Sequence, residues 1–188
     1  MATMIAGYLL LIVFFCLEFF MRKGVRAKSL KPSSFDQGTA ILIGVSYPIG
    51  ILLPPLLNYF SAGRLPGAGW IGGVGVLFML LGLAIRLWSM QTLGRFYTRI
   101  LTISEGQSIV QAGPYRFIRH PGYLGTLLIW IGLPMSQANW IAMALVALFM
   151  GIAYGRRIKA EEEMLVQEFG EEFRRYMKRT WRLVPFLF

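Results

Sequence analysis

Two residue types are almost missing from this chain. Cys16 is the only cysteine and His120 the only histidine among 188 residues. A single cysteine excludes an intrachain disulfide. A structural zinc site takes about four nitrogen or sulfur ligands, which this chain cannot supply, so no metal centre is expected. No Ser/His/Asp or Cys/His set stands out for nucleophilic catalysis. Acidic residues are scarce as well: nine Asp and Glu stand against nineteen Lys and Arg, a net charge of +10. The basic residues sit beside apolar runs, where the positive-inside bias of membrane proteins explains them, so nucleic acid is not the expected partner.

What the chain has in abundance is apolar sequence, 56% of its residues. Five apolar runs stand out, at about 4–21, 38–60, 69–88, 123–135 and 140–154. The first three approach the ~20 residues that cross ~30 Å of hydrocarbon. The last two are shorter and are separated by a tight polar turn at 134–139, so they read as a helical hairpin. The first run has no basic residue before it and no small-residue cleavage site after it. It is expected to be a retained span with its N-terminus outside.

Charge placement agrees with that count. Arg22, Lys23, Arg26, Lys28 and Lys31 follow the first run, and Arg86, Arg95, Arg99, Arg116 and Arg119 follow the third. Eight more basic residues lie from Arg156 onward, and only Arg64 falls on the opposite side. The expected fold is therefore an all-α integral membrane protein of about five transmembrane helices. Its C-terminal amphipathic helix and its active site should face the cytoplasm. Residues 1–90 form an N-terminal three-span region and residues 91–188 the functional region of one integrated domain. Within the third run Gly69 and Gly73 stand at GxxxG spacing, followed by Gly75 and Gly82, and small residues let membrane helices approach closely.

Two stretches outside the spans carry the chemistry. In 91–119, Ile100, Leu101, Ile103, Ile109, Val110, Tyr115, Phe117 and Ile118 need somewhere to pack, so the connector is expected to be ordered. In the tail, Ile158, Met164, Leu165, Phe169, Phe173, Tyr176 and Met177 recur at helical steps, with a break at Gly170. Pro121 fits the first turn of a helix, which puts Arg119 and His120 at the helix mouth. Arg157 and Glu161, four apart, share a helix face. Read alone, either motif is equally an interfacial anchor or an ordinary ion pair.

Taken together they carry a resemblance. Gly106, Ile109-Val110, Gly113-Pro114-Tyr115, Arg119-His120-Pro121, Tyr123 and Gly125 precede the hairpin. Arg157, Glu161-Glu162, Leu165, Phe169-Gly170, Phe173 and Tyr176 follow it, and Arg182-Leu183 with Pro185 close the pattern. This order resembles the isoprenylcysteine carboxyl methyltransferase family and the related membrane phospholipid methyltransferases. The resemblance implies S-adenosyl-L-methionine as cofactor and a lipophilic substrate entering from the bilayer. It implies that Gln107, Ser108, Ile109, Val110, Tyr115, His120, Pro121, Gly122, Tyr123 and Glu161 line the cofactor and that Arg157 faces the acceptor. Many relatives carry His at the position of Gln107 and Tyr at that of Phe173. A carboxylate acceptor needs a cation and no base, whereas an ammonium acceptor needs a base, for which His120 or Glu162 stands nearest. The alternatives are an amine-directed phospholipid methyltransferase, a scaffold without catalysis and a reductase of the sterol type. Oligomeric state and the identity of the acceptor are not legible.

Overall fold

A lipid environment offers the backbone no hydrogen-bond partners, so a spanning chain of this composition must satisfy its own amides in helices. The computed structural model describes residues 1–20, 34–67, 69–98 and 100–185. Arg22, Lys23, Arg26, Lys28, Lys31 and Arg99 lie outside the described residues. Six α-helices follow in order: α1 (Ala2–Phe20), α2 (Thr39–Tyr59), α3 (Gly69–Leu93), α4 (Pro121–Ser136), α5 (Trp140–Phe169) and α6 (Glu171–Arg179). Among the described residues the only extended pairing is two isolated bridges, Arg64 with Asn139 and Ile118 with Trp181. The protein is an all-helical integral membrane protein.

Four helices, α1, α2, α3 and α5, are long and apolar enough to cross a membrane. The fifth expected span, α4, has only 16 residues, about 24 Å of helix. It is not among the helices long enough to cross, and its Ile129, Trp130 and Leu133 are entirely buried inside the protein. The neighbouring helices α1, α2 and α5 instead expose apolar residues, among them Ile12, Leu52 and Leu148, as lipid-facing surfaces do.

Glycine sets the closeness of α3 and α4. A Cβ on Gly75 would stand 2.7 Å from the Gly132 carbonyl oxygen, and one on Gly132 would stand 2.6 Å from that of Gly75. Seven residues along each helix, Gly82 and Gly125 repeat the arrangement at 2.5 and 2.6 Å. The GxxxG pair Gly69 and Gly73 plays no part in this seam, because among the described residues neither has a neighbour within 4 Å of a built Cβ. Period and helix rotation, not the tetrad motif, decide which glycines face the partner.

The hairpin turn is pinned to the α2–α3 connection. Asn139 caps α5 by accepting from the Ala142 amide at 2.8 Å, and its own amide donates to Asn58 Oδ1 at 2.8 Å and to the Ala62 carbonyl at 2.9 Å. The helix after the turn differs from its expected extent. The fifth apolar run and the first part of the tail are one continuous 30-residue helix, α5. Gly170 ends it at φ 53°, a left-handed value that favours glycine, and α6 begins at once.

Candidate active site

Helix α4 starts at Pro121, with His120 at its N-cap. The segment before it is held by the C-terminal tail. The Arg119 amide donates to the Trp181 carbonyl at 2.8 Å, and the Trp181 amide donates to that of Phe117 at 2.9 Å. Phe117, expected to pack inside, is 61% exposed instead, while Tyr115 and Ile118 beside it are buried. Tyr176 on α6 donates its hydroxyl to the Tyr115 carbonyl at 2.7 Å. Burial pushes the Tyr176 phenol up to about 12 against the lowering effect of Arg119, so it stays a donor. Burial likewise raises the Tyr115 phenol.

Glu162 is the hub of this end. It accepts from Arg119 Nε at 2.8 Å, pairs with Arg182 Nη2 at 2.9 Å and stands 3.3 Å from His120 Nε2. Arg119 Nη1 also donates to the Met177 carbonyl at 3.0 Å and to the Thr180 carbonyl, capping the end of α6. Glu162 is thus engaged on three sides and does not line the cavity described next. Its neighbour Glu161 does. Glu161 accepts from the Tyr123 hydroxyl at 2.5 Å and keeps 27% of its side chain exposed. The His120 ring lies nearly parallel to that of Tyr123, 12° apart with centroids at 5.6 Å.

These groups surround a cavity of about 500 Å³ between the starts of α2 and α4, the end of α3, the 94–112 connector, the middle of α5, and α6. Gln107, Ser108, Ile109 and Val110 line it from the connector; Tyr115, His120, Gly122 and Tyr123 line it from the entrance to α4. Arg157 and Glu161 line it from α5. Pro121 stays outside the lining, fully buried, as the residue that starts α4. The Gln107 side-chain oxygen accepts from the Ser104 amide at 2.8 Å and closes a turn.

Arg157 has partners that sequence spacing hides. Its Nη1 pairs with Asp36 and donates to Thr39 Oγ1 at 3.0 Å, while Thr39 Oγ1 donates to Asp36 at 2.9 Å. Its Nε lies 3.4 Å from the Tyr123 hydroxyl. The side chain is 3% exposed.

A second charged cluster on the cavity wall escapes the sequence reading. Arg86 on α3 donates through Nε to Glu18 on α1 at 2.8 Å and through Nη2 to the Tyr97 hydroxyl at 2.6 Å. That hydroxyl donates in turn to Glu18 at 2.8 Å. Arg86 Nη1 makes no hydrogen bond among the described residues and lies 2.9 Å from where a Cβ on Gly122 would stand. One signal was available: an acid inside the first apolar run and a base inside the third are costly in lipid and therefore face protein or water.

Comparison with known proteins agrees with this architecture. Residues 75–167 match the isoprenylcysteine carboxyl methyltransferase family. The chain is 30% identical over 155 residues to protein-S-isoprenylcysteine O-methyltransferase A of Arabidopsis thaliana, covering 79% of this chain and 78% of that one. It is 29% identical over 154 residues to the B enzyme of the same plant. Among solved structures it is similar to the eukaryotic intramembrane Ras methyltransferase, at TM-score 0.64 and 24% identity, over 78% of this chain and 52% of that one. It therefore spans about half the length of that structure, and the likeness there is one of fold. By the extent and identity of its match to the plant enzymes, this chain belongs to the isoprenylcysteine carboxyl methyltransferase family.

Proposed function

We propose that this chain is a membrane-embedded carboxyl O-methyltransferase that uses S-adenosylmethionine and acts on a lipophilic, prenylcysteine-like carboxylate. The observation that carries the reading is one cavity with two chemistries. Glu161, His120, Tyr123 and Gln107 give it polar groups, and Ile43 of α2 with Met90 and Leu93 of α3 give it apolar surface.

The donor fits these polar groups by the chemistry of their side chains. Glu161 is an acceptor partly open to the space, suited to the cationic and hydroxyl groups of such a cofactor. The parallel rings of His120 and Tyr123 offer flat surfaces. Connector residues 107–110 offer backbone groups for polar edges. When bound, the cofactor supplies a methyl group already activated on a sulfonium.

The remaining work is orientation. An acceptor carboxylate has a pKa near 4, so it is ionised at neutral pH and asks the protein for no base. It asks for a cation, and Arg157 and Arg86 both reach the cavity. Arg157 is held in place by Asp36, Thr39 and Tyr123, which pre-orients its fork. Arg86 Nη1 adds a donor without a bonded partner among the described residues. Guanidiniums are donors only and suit a carboxylate, which accepts, whereas an ammonium substrate has no lone pair to take their hydrogen bonds. Glu162, which that reading needs as a base, is tied to Arg119, Arg182 and His120.

The acceptor's hydrocarbon stays among the apolar helices while its carboxylate reaches the polar groups. The concentration of Lys and Arg at this end of the bundle supports a cytoplasm-facing site. The test is methyl transfer from radiolabelled cofactor to an S-farnesylcysteine carboxylate and, in parallel, to phosphatidylethanolamine. Label in the base-labile ester of the first is expected. Label in the amino-lipid alone would replace this reading with the amine-directed one.

A further inference from the structure

Among the described residues nothing packs closely enough on Gly44 to require glycine. Glycine inside a helix is destabilising relative to alanine, so an interior glycine usually marks a close approach. Gly50, on the same helix, shows the usual reason: a Cβ there would stand 2.7 Å from the Trp130 ring. Among the described residues a Cβ on Gly44 would meet nothing within 4 Å, and its φ is not among the left-handed values. Gly73, Gly151 and Gly155 share such open surroundings but do not line the large cavity. Gly44 does, together with Ala40, Ile43 and Tyr47.

These four residues follow the i, i+3, i+4, i+7 spacing of one helix face. Ala40 and Gly44 are exposed, whereas Ile43 and Tyr47 are half-buried. Tyr47 is fixed at the inner end by the 2.9 Å contact between its hydroxyl and that of Tyr154. The α2 wall of the cavity therefore has an open notch one helical turn high, floored by a methyl and a hydrogen. It is apolar and lies in a helix able to cross the membrane. It opens onto the same space that Arg157 and Glu161 line.

We infer that the Ala40–Gly44 notch receives the hydrocarbon chain of the methyl acceptor, and that Gly44 sets how bulky a chain the enzyme accepts. This rests on the methyltransferase reading above. A side chain added at Gly44 enters space that no described residue fills, so among these it competes only with the acceptor chain.

The experiment compares wild type, Gly44→Ala and Gly44→Leu in phosphatidylcholine vesicles. The acceptors are N-acetylcysteine thioethers carrying a farnesyl or a dimethylallyl chain. S-adenosylhomocysteine binding is measured on each variant. The expected result is a fall of about tenfold or more in the farnesyl-to-dimethylallyl ratio of kcat/KM for Gly44→Leu, on the scale of hydrophobic-pocket discrimination. A smaller fall in the same direction is expected for Gly44→Ala, with cofactor affinity kept in both. Should Gly44→Leu not fold, Gly44→Ala decides alone, since it adds one methyl into open space. An unchanged ratio with normal S-adenosylhomocysteine binding overturns the notch and leaves the methyltransferase reading in place. Failure of the wild type to methylate either carboxylate overturns both.

Discussion

Arg157 on α5 is paired with Asp36, a residue 121 positions earlier in the chain. The pair closes the cavity's charged wall onto the start of α2, with Thr39 bridging both partners. Removing one member of a buried pair leaves the other uncompensated and costs about 3–5 kcal/mol. Asp36→Ala is therefore expected to lower the melting temperature in detergent clearly. It is also expected to reduce carboxylate methylation, because Arg157 loses the contact that orients it. A variant as stable and as active as wild type would show that the pair has no positioning role.

Glu161 and Arg157 share a helix face and one cavity, and the proposed function gives them different tasks. Glu161→Ala is expected to weaken S-adenosylhomocysteine binding about tenfold or more, the loss of a charge-assisted contact. Arg157→Ala and Arg86→Gln are expected to leave most of that binding and to lower kcat/KM for the carboxylate acceptor. Calorimetry and a methyl-transfer assay on the same preparations separate the two outcomes. Equal effects of all three on cofactor binding would contradict the division.

Much of this was legible in the sequence, and the reasons are local. Apolar run length sets α1, α2 and α3. Pro121 sets the start of α4, because a proline after a polar pair suits a first helical turn. The gathering of 107–110, His120, Tyr123 and Glu161 around one cavity follows from motif order. What was not legible depends on long-range pairing. Glu18, Arg86 and Tyr97 sit on two helices and a connector, up to 79 residues apart. The Asp36–Arg157 pair is likewise invisible to spacing rules. The GxxxG pair misled because only helix rotation decides that Gly75 and Gly82, and not Gly69 and Gly73, meet α4. The extent of α5 was hidden by the change from apolar to charged residues near Arg156, which marks a change of surroundings and not a helix end.

The α3–α4 seam leaves no room for a methyl group. In Gly125→Ala the new Cβ would meet the Gly82 carbonyl oxygen at 2.6 Å and the Arg86 amide at 2.8 Å, both backbone atoms. The helices must separate, at a cost of about 1–3 kcal/mol for overpacking. Because Arg86 sits on that seam, acceptor methylation should fall along with the melting temperature. Gly73→Ala, on α3 with no neighbour within 4 Å among the described residues, should change neither; thermal melting and activity of the two variants check this.

Glu162 holds the start of α4 to the tail through Arg119 and Arg182. Glu162→Gln removes the charge that both guanidiniums share. Hydrogen exchange is expected to rise at 117–120 and 180–182 together, since those two segments exchange backbone hydrogen bonds. If Glu162 were instead a proton-accepting base, the variant would lose activity with exchange unchanged, and that result would return the amine-directed reading to favour.

The most direct test of the account is titration calorimetry of the detergent-purified protein with S-adenosylhomocysteine, wild type beside Glu161→Ala. The account predicts saturable one-to-one binding by the wild type and a marked loss of affinity in the variant. No binding by a folded wild type would contradict it, for the cavity between the connector, α4 and α5 would then not be a cofactor site.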